Sequence, residues 1–369
     1  MLLQELRCFQ FKNYQHVKLS FAPELNCLIG PNGAGKTNLL DAIHYLSFTK
    51  SAFNPIDTQN ILHDASEMVI QGCFLKQTQA CDVKCVVQKT QGKTMYSDGN
   101  PLERMRDHIG QFPVVLTTPY DTNLIHDGSD IRRRFVDEIL CQIDPSYLQQ
   151  RMHYQQLLKH RNSLLKLNAG KANIDYALLT TYDQQILPLG KALYLARKAF
   201  MVHFLPRLQS QYELLVDSVA ETIHLQYMSD WDTPDFEQRY HDHLPHDMHL
   251  QRTVLGIHRD DFVGTLNGYP LKKFGSQGQQ KSFLLALRLA QFAAIYDLLG
   301  CKPLLLLDDI FDKLDAQRIE RLMDLIEKRH FGQIWITDAG GKRSEALMQQ
   351  LQVRKAVFKI TAGEVMQCS

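Results

Sequence analysis

Hydrophobic and polar positions change their period twice along the chain, and each change marks a different kind of structure. Near the start, LQELRCFQF and HVKLSF alternate or run apolar and predict strands, and NCLIG is a short apolar run that stops at glycine. In NLLDAIHYLSF the apolar residues Leu39, Leu40, Ile43 and Leu46 recur at helical spacing. From Met68 to Leu102 short strands return, with an Asp98-Gly99 hairpin signal. Between about Pro119 and Asp261 helical segments dominate: IRRRFVDEILCQI, SYLQQRMHYQQLLKHRNSLLKL and a long stretch from Asp175 to Ile223. Pro188 and Pro206 predict that the last of these is kinked or broken rather than one rod.

The final third reads as α/β again. A hairpin is expected about Asn267-Gly268, then a strong helix in SQGQQKSFLLALRLAQFAAIYDLLG with Ser276 as its N-cap. PLLLLDD and QIWITDA read as buried strands on either side of the amphipathic helix DAQRIERLMDLIEKR. No internal repeat and no long heptad array is present. The pattern predicts a core built from both chain ends, 1–118 and 262–369, with a mainly helical domain inserted over 119–261.

Composition changes this picture little. The 369 residues are 44% hydrophobic and 22% charged, enough for a sizeable core. With 41 Lys+Arg against 40 Asp+Glu, the whole chain carries no bulk field. The charge is unevenly spread, however. Arg151 to Leu215 holds nine Lys/Arg and three Asp/Glu, whereas Val216 to Asp261 holds three and ten. No run approaches the ~18 consecutive apolar residues of a membrane helix. Glu5 stands where a secretion signal needs an apolar run. A cytoplasmic protein with no membrane partner is expected. Eight cysteines in so long a chain read as reduced core residues. Cys81 and Cys85 invite a zinc reading, but no second pair lies nearby, so one face of a strand is expected.

The candidate chemistry begins at GPNGAGKT, where Gly30, Pro31, Asn32, Gly33, Ala34, Gly35, Lys36 and Thr37 fill the P-loop pattern between a strand and a helix. Glycines let successive N–H groups wrap a phosphate. Lys36 would neutralise the β- and γ-phosphates of ATP, and Thr37 would offer its hydroxyl to Mg²⁺. PLLLLDD reads as a Walker B strand: Asp308 would hold the Mg²⁺ shell, and Asp309 would orient and deprotonate the attacking water. SQGQQKS resembles the signature motif of ABC-type ATPases, in which Ser276, Gly278, Gln279 and the helix N-terminus receive phosphate from a partner's P-loop. Leu314-Asp315, shortly after Walker B, fits the D-loop that lies across such a dimer interface.

Beyond these motifs, FKNY…LNCLIGPNGAGKTNLLDAIHYLSFTKS resembles the heads of the SMC-like ATPases. GSDIRRRFVDEIL, LLKHRNSLLK, GIHRDDF and LNGYPLKKFGSQGQQKS look like blocks of the RecF family in their order. The resemblance covers essentially the whole chain. It implies an ABC-type P-loop ATPase core and a role in DNA replication, recombinational repair and the SOS response. It further implies ATP-driven closure of a homodimer on single-stranded or gapped DNA, slow hydrolysis that releases it, and RecR and RecO as partners in loading recombinase.

Lys159, Arg161, Lys166, Arg197 and Lys198 are candidates for DNA phosphate contacts, with a solvated helix face as the alternative. Arg132, Arg133 and Arg134 either pair at i, i+4 with Asp137 and Glu138 or reach DNA or a dimer partner. His258-Arg259-Asp260-Asp261 is expected to brace the helical arm against the ATPase core, with direct catalysis as the alternative. His241, His243, His246 and His249 have metal-like spacing without a matching carboxylate pattern. Two departures from the ABC pattern stand out. Thr337-Asp338 replaces the usual histidine, and only Gln111 offers itself as a Q-loop residue. The alternative reading, a transporter ATPase subunit, expects that histidine and a compact segment between P-loop and signature.

Overall fold

The computed structural model describes residues 1–167, 176–216, 221–311, 315–339 and 351–368. The chain forms two compact units, one from Met1–Thr122, Gln211–Val219 and Gln277–Ser369, the other from Asn123–Ser210 and Ala220–Ser276.

In the first unit the apolar runs become a mainly parallel sheet of β3 (Leu25–Ile29), β8 (Val114–Thr117), β12 (Leu304–Leu307), β13 (Ile334–Asp338), β14 (Lys355–Thr361) and β15 (Glu364–Cys368). Strand order is β15-β14-β3-β13-β12-β8. β3, β8, β12 and β13 are buried at every position, as strands covered on both faces must be. Register pairs Asp338 with Ile29, Leu307 with Ile336 and Leu307 with Thr117, so four C-terminal strand ends meet along one rim. Ligands of open α/β sheets bind outside such a rim.

The alternating segments form a second, antiparallel sheet. It contains β1 (Leu2–Phe11), β2 (Tyr14–Ser20), β4 (Glu67–Lys76), β5 (Gln79–Gln88), β6 (Gly92–Ser97) and β7 (Asn100–Pro101), in the order β2-β1-β4-β5-β6-β7. Asp98 and Gly99 turn the β6–β7 hairpin with φ of 49° and 81°, the left-handed pair that a tight hairpin requires. Cys81 and Cys85 lie on β5, two positions of one strand face. Helix α1 (Lys36–Phe48) packs Leu39, Leu40, Ile43 and Leu46 into the core shared with Leu3, Leu6, Leu304, Leu306 and Trp335. Each buried side chain of this kind contributes about 1.5–3 kcal/mol, which is what fixes the helix behind its loop. Helices α9 (Gln277–Leu299) and α10 (Ala316–Glu327) also belong to this unit. α9 is long and apolar enough to cross a membrane, but 67% of its apolar window is buried within the protein, as in a core helix.

The second unit holds α2 (Asn123–His126), α3 (Ser129–Ile143), α4 (Pro145–Leu167), α5 (Tyr176–Leu215) as far as Ser210, α6 (Phe236–Asp242), α7 (Leu244–Leu250) and α8 (Leu271–Phe274). A small sheet of β9 (Ile223–Met228), β10 (Asp261–Leu266) and β11 (Tyr269–Pro270) accompanies them. Three expectations need correction. α5 is a single helix of 40 residues with both prolines inside it, so of the expected kink or break the break does not occur. Each proline removes one backbone bond, and the buried Ile186, Leu187, Phe204 and Leu208 hold the helix on either side of the gaps. β9 was not expected within the helical stretch, although Ile223 and Leu225 alternate inward with exposed His224 and Gln226. Finally, residues 262–276 belong with this unit rather than the core, because β10 pairs with β9 from Asp261↔Met228 to Leu266↔Ile223.

Candidate nucleotide site

Residues 30–37 leave β3 and enter α1 at Lys36. Two of the glycines, Gly30 and Gly35, stand where a side chain has no room. A Cβ on Gly30 would lie 2.1 Å from the Ile360 carbonyl oxygen. Gly35, at φ 119°, would bring one to 2.6 Å from both Asn13 Nδ2 and the Tyr14 hydroxyl. These two residues brace the loop from behind, and the sequence reading missed them. Asn13 Nδ2 donates to the Ala34 carbonyl (3.0 Å), Tyr14 donates to the Gly35 carbonyl (2.9 Å), and Asn38 Nδ2 donates to Asn13 Oδ1 (2.7 Å). Burial pushes the Tyr14 phenol above its ordinary pKa, so it remains a donor. Gly33, at φ 80°, has open space where its Cβ would stand. Lys36 is 7% exposed, and its ammonium donates to the carbonyls of Gly30 (2.6 Å) and Pro31 (3.0 Å). That places its charge along the loop that a triphosphate would occupy.

Strand β13 lies between β3 and β12, so Walker A and Walker B strands are second neighbours. Even so, the Thr37 hydroxyl donates to both Asp308 carboxylate oxygens at 3.0 Å. Asp308 is 3% exposed, and its N–H donates to the Thr117 carbonyl at the end of β8 (2.9 Å). Thr337, at the end of the intervening strand, has two roles here. Its hydroxyl donates to Asp308 Oδ1 (2.8 Å) and accepts the Asp309 N–H (2.8 Å). Asp309 takes φ 54°, a left-handed backbone that non-glycine residues adopt rarely and that Asp tolerates better than most. Thr337, where transporters place a histidine, therefore holds the Asp308 carboxylate and the Asp309 backbone. A hydroxyl beside a buried carboxylate is a hard-oxygen donor pair of the kind Mg²⁺ takes.

Gln111 is not part of this rim. It precedes β8, and the parallel register puts it at the opposite end of the sheet, where Lys76 Nζ donates to its Oε1 (3.4 Å). At the rim end of β8 stand Thr117, whose buried hydroxyl has no hydrogen-bond partner among the described residues, and Thr118, which donates to Asp121. Ser276 directly precedes α9 and is exposed, while Gly278 and Gln279 lie in its first turn. Asp315 caps α10, its carboxylate accepting the Arg318 N–H at 3.0 Å. Leu314 lies outside the described residues.

Two of the five basic candidates of the helical unit, both arginines, are buried. Arg161 is fully buried, bonded to Asp183 and Asp247 at 2.7 Å each and to the Thr253 hydroxyl (2.7 Å). Arg197, also buried, holds Asp137 (2.9 Å) and Asp260 (2.8 Å). A guanidinium is buried only with such partners, so neither is free for DNA phosphates. Burial raises the Asp137 carboxyl's pKa, but Arg197 and Arg151 outweigh it and leave the group below the usual range. Of the other candidates, Lys159 and Lys166 are exposed, and Lys198 is paired at the surface with Asp232 (2.8 Å).

Arg132 grips Asp261 with two bonds (2.7 and 2.9 Å), and Arg133 donates to Ser129 Oγ (2.6 Å) and the Asp260 carbonyl (2.5 Å). Asp137, the expected i, i+4 partner of Arg133, is taken by Arg151 and Arg197 instead. Asp260 further accepts from Tyr227 (2.6 Å) and Ser229 (2.7 Å). The His258–Asp261 segment is thus a charged brace, but its partners all lie within the helical unit and tie its helices to its own small sheet. Among the described residues no three His, Cys, Asp or Glu are grouped to hold a metal.

With this geometry in view, comparison with known proteins is decisive. The family model for the RecF/RecN/SMC N terminal domain matches residues 2–359. The chain belongs to the RecF/RecN/SMC family. Its fold is the ABC-type ATPase head, and the transporter-subunit reading is set aside. "DNA replication and repair protein RecF" of Flavobacterium johnsoniae is 38% identical over 360 residues, covering 98% of this chain and 100% of the relative. The protein of the same name from Phocaeicola vulgatus is 38% identical over 367 residues, covering 99% and 98%. A solved structure of the recombination mediator protein RecF with ATP, in the RecFOR pathway, has a TM-score of 0.89 at 25% identity, covering 100% of this chain and 98% of that one. An Smc head domain from Pyrococcus furiosus, with a TM-score of 0.57 and 16% identity, shares the family's fold.

Proposed function

We propose that this RecF/RecN/SMC family member is an ATP-dependent DNA-binding protein of replication and recombinational repair. ATP closes a homodimer on single-stranded or gapped DNA, and slow hydrolysis opens it. The carrying observation is the meeting of Thr37 with Asp308 beside a glycine loop that fits phosphate. The full-length likeness to RecF with ATP supports the assignment to repair. Gly30 to Thr37 would hold the triphosphate, with Lys36 neutralising its β- and γ-phosphates. Thr37 and Asp308 would hold Mg²⁺, which when bound neutralises developing phosphate charge. Asp309 takes the proton of the attacking water, and Thr337 keeps its backbone in place. Ser276, Gly278 and Gln279 complete the site of a second copy. Exposed Lys159 and Lys166 supply sequence-independent phosphate contacts. The implied partners are recombination mediators of the RecR and RecO kind, and the compartment is the cytoplasm.

The test is fluorescence anisotropy of labelled single-stranded and gapped DNA with ATP, ADP or no nucleotide. The reading predicts that ATP tightens binding about tenfold or more over ADP. Equal affinity in all three conditions would overturn it.

A further inference from the structure

The segment after Walker B does more than start a helix. Asp315 Oδ1 accepts the Arg318 N–H at 3.0 Å, and the Arg318 guanidinium turns back to pair with the same carboxylate. Its Nε then donates to Ser282 Oγ on α9 at 2.5 Å, across 36 residues of sequence. Ser282 is fully buried, and its one proton goes to the Gly278 carbonyl (3.0 Å), a turn earlier in α9. Asp315, Arg318, Ser282 and Gly278 thus form one continuous chain of hydrogen bonds. It runs from the residue read as the D-loop aspartate to the residue read as the signature glycine.

The arrangement is a poor device for stability. The Asp315 side chain is 52% exposed, and exposed pairs contribute about 0–1 kcal/mol. A buried serine that bonds its own i−4 carbonyl slightly weakens and bends a helix. What the chain does fix is the position of the first turn of α9 relative to the start of α10. Further along, Arg288 grips Asp121 with two bonds (3.0 and 2.7 Å), so α9 is anchored there to the segment after β8. Ser282 and Arg318 tie the first turn, which carries Gly278 and Gln279, to the start of α10.

We infer that Arg318 is a positioning residue that sets the signature turn, through Ser282, for the nucleotide of a second copy of this chain. The inference rests on the split-site reading proposed above. Among the described residues Arg318 bonds Asp315 and Ser282 and none of the residues read as P-loop or Mg²⁺ ligands. Its loss leaves the P-loop of its own protomer intact and spoils the face offered to the partner.

The experiment measures ADP binding and ATP-driven dimerisation for wild type, Arg318→Ala, Arg318→Lys, Ser282→Ala and the double Ala variant. ADP binding should stay within about twofold in all of them, which also reports that each is folded. ATP-driven dimerisation should weaken about tenfold or more in Arg318→Ala, as for loss of a charged hydrogen bond. Arg318→Lys should fall between, and the double variant should be no worse than Arg318→Ala alone, because both remove one link.

Mixed dimers then separate the two faces. With Lys36→Ala and Arg318→Ala on different protomers, one complete site survives and hydrolysis persists. With both on the same protomer no complete site remains, and hydrolysis is lost. Equal hydrolysis in the two pairings, or normal dimerisation of Arg318→Ala beside a dimerising wild type, would refute the positioning role alone. A wild type that stays monomeric with ATP would refute the split site, and this inference with it.

Discussion

The Thr37 hydroxyl lies 3.0 Å from both carboxylate oxygens of Asp308, a residue 271 positions further along the chain. A contact so remote in sequence closes only when both halves of the core have folded together. It yields the first expectation. Asp308→Asn should bind nucleotide about tenfold more weakly in Mg²⁺ and unchanged in EDTA, because only the metal-dependent share is lost. Isothermal titration in both buffers decides this; an equal loss with EDTA would mean that Asp308 acts on the loop and not on the ion.

Thr337 carries two bonds through one hydroxyl, to Asp308 and from the Asp309 N–H. Thr337→Val keeps the shape and removes both. Turnover should drop about tenfold with little change in KM, and Thr337→Ser should retain most activity. Steady-state kinetics on the three proteins checks it. A raised KM at normal kcat would instead place Thr337 in nucleotide binding.

Burial separates the basic residues of the helical unit into two classes. Arg161→Ala strands Asp183 and Asp247 in the interior and should cost about 3–5 kcal/mol in denaturant unfolding. Lys159→Ala and Lys166→Ala should change stability by less than about 0.5 kcal/mol. Each should instead flatten the salt dependence of single-strand binding by roughly 0.7 in log–log slope. An unchanged salt slope in both lysine variants would move the DNA surface elsewhere.

Acid should weaken the first unit. His44 on α1 is buried against Phe48, with ring centroids 4.6 Å apart, and burial pulls its imidazole down to about 4. In the unfolded chain the same group titrates near 6.5. Between these values the unfolded state takes a proton that the folded state refuses. The stabilisation is therefore complete above about pH 6.5 and is lost as pH falls toward 4, by up to about 3 kcal/mol. Buried His108, also shifted down by burial, adds to the same trend. Unfolding at pH 7, 6 and 5 should show the slope in wild type and a shallower one in His44→Phe. Parallel curves would exclude His44 as a source.

How much of this was legible in the sequence depended on the range of the physics involved. The glycine loop, the strand ahead of it and the helix behind it are local, so GPNGAGKT and PLLLLDD announced themselves through spacing and apolar runs. Burial of Arg161 and Arg197 was not legible, because a charge count cannot tell a guanidinium in solvent from one held by carboxylates far along the chain. Gln111 was misplaced for a related reason: only the parallel register of β8 with β12 shows which end of the strand faces the P-loop. β9 needs a partner strand beyond two further helices, so its alternation was lost in a helical neighbourhood. Asn13 and Tyr14 in FKNY, and Thr337 at the end of QIWIT, could be noticed in the sequence but not given a role, since their work lies in what they touch.

The central claim is that a bound triphosphate joins two copies of the chain through Ser276 and its helix. Sedimentation velocity with ATP, ADP and no nucleotide, on wild type and Ser276→Arg, tests it most directly. Wild type should be dimeric with ATP alone, and Ser276→Arg should remain monomeric while still binding ATP. ATP-dependent dimers of undiminished stability in Ser276→Arg would contradict the account.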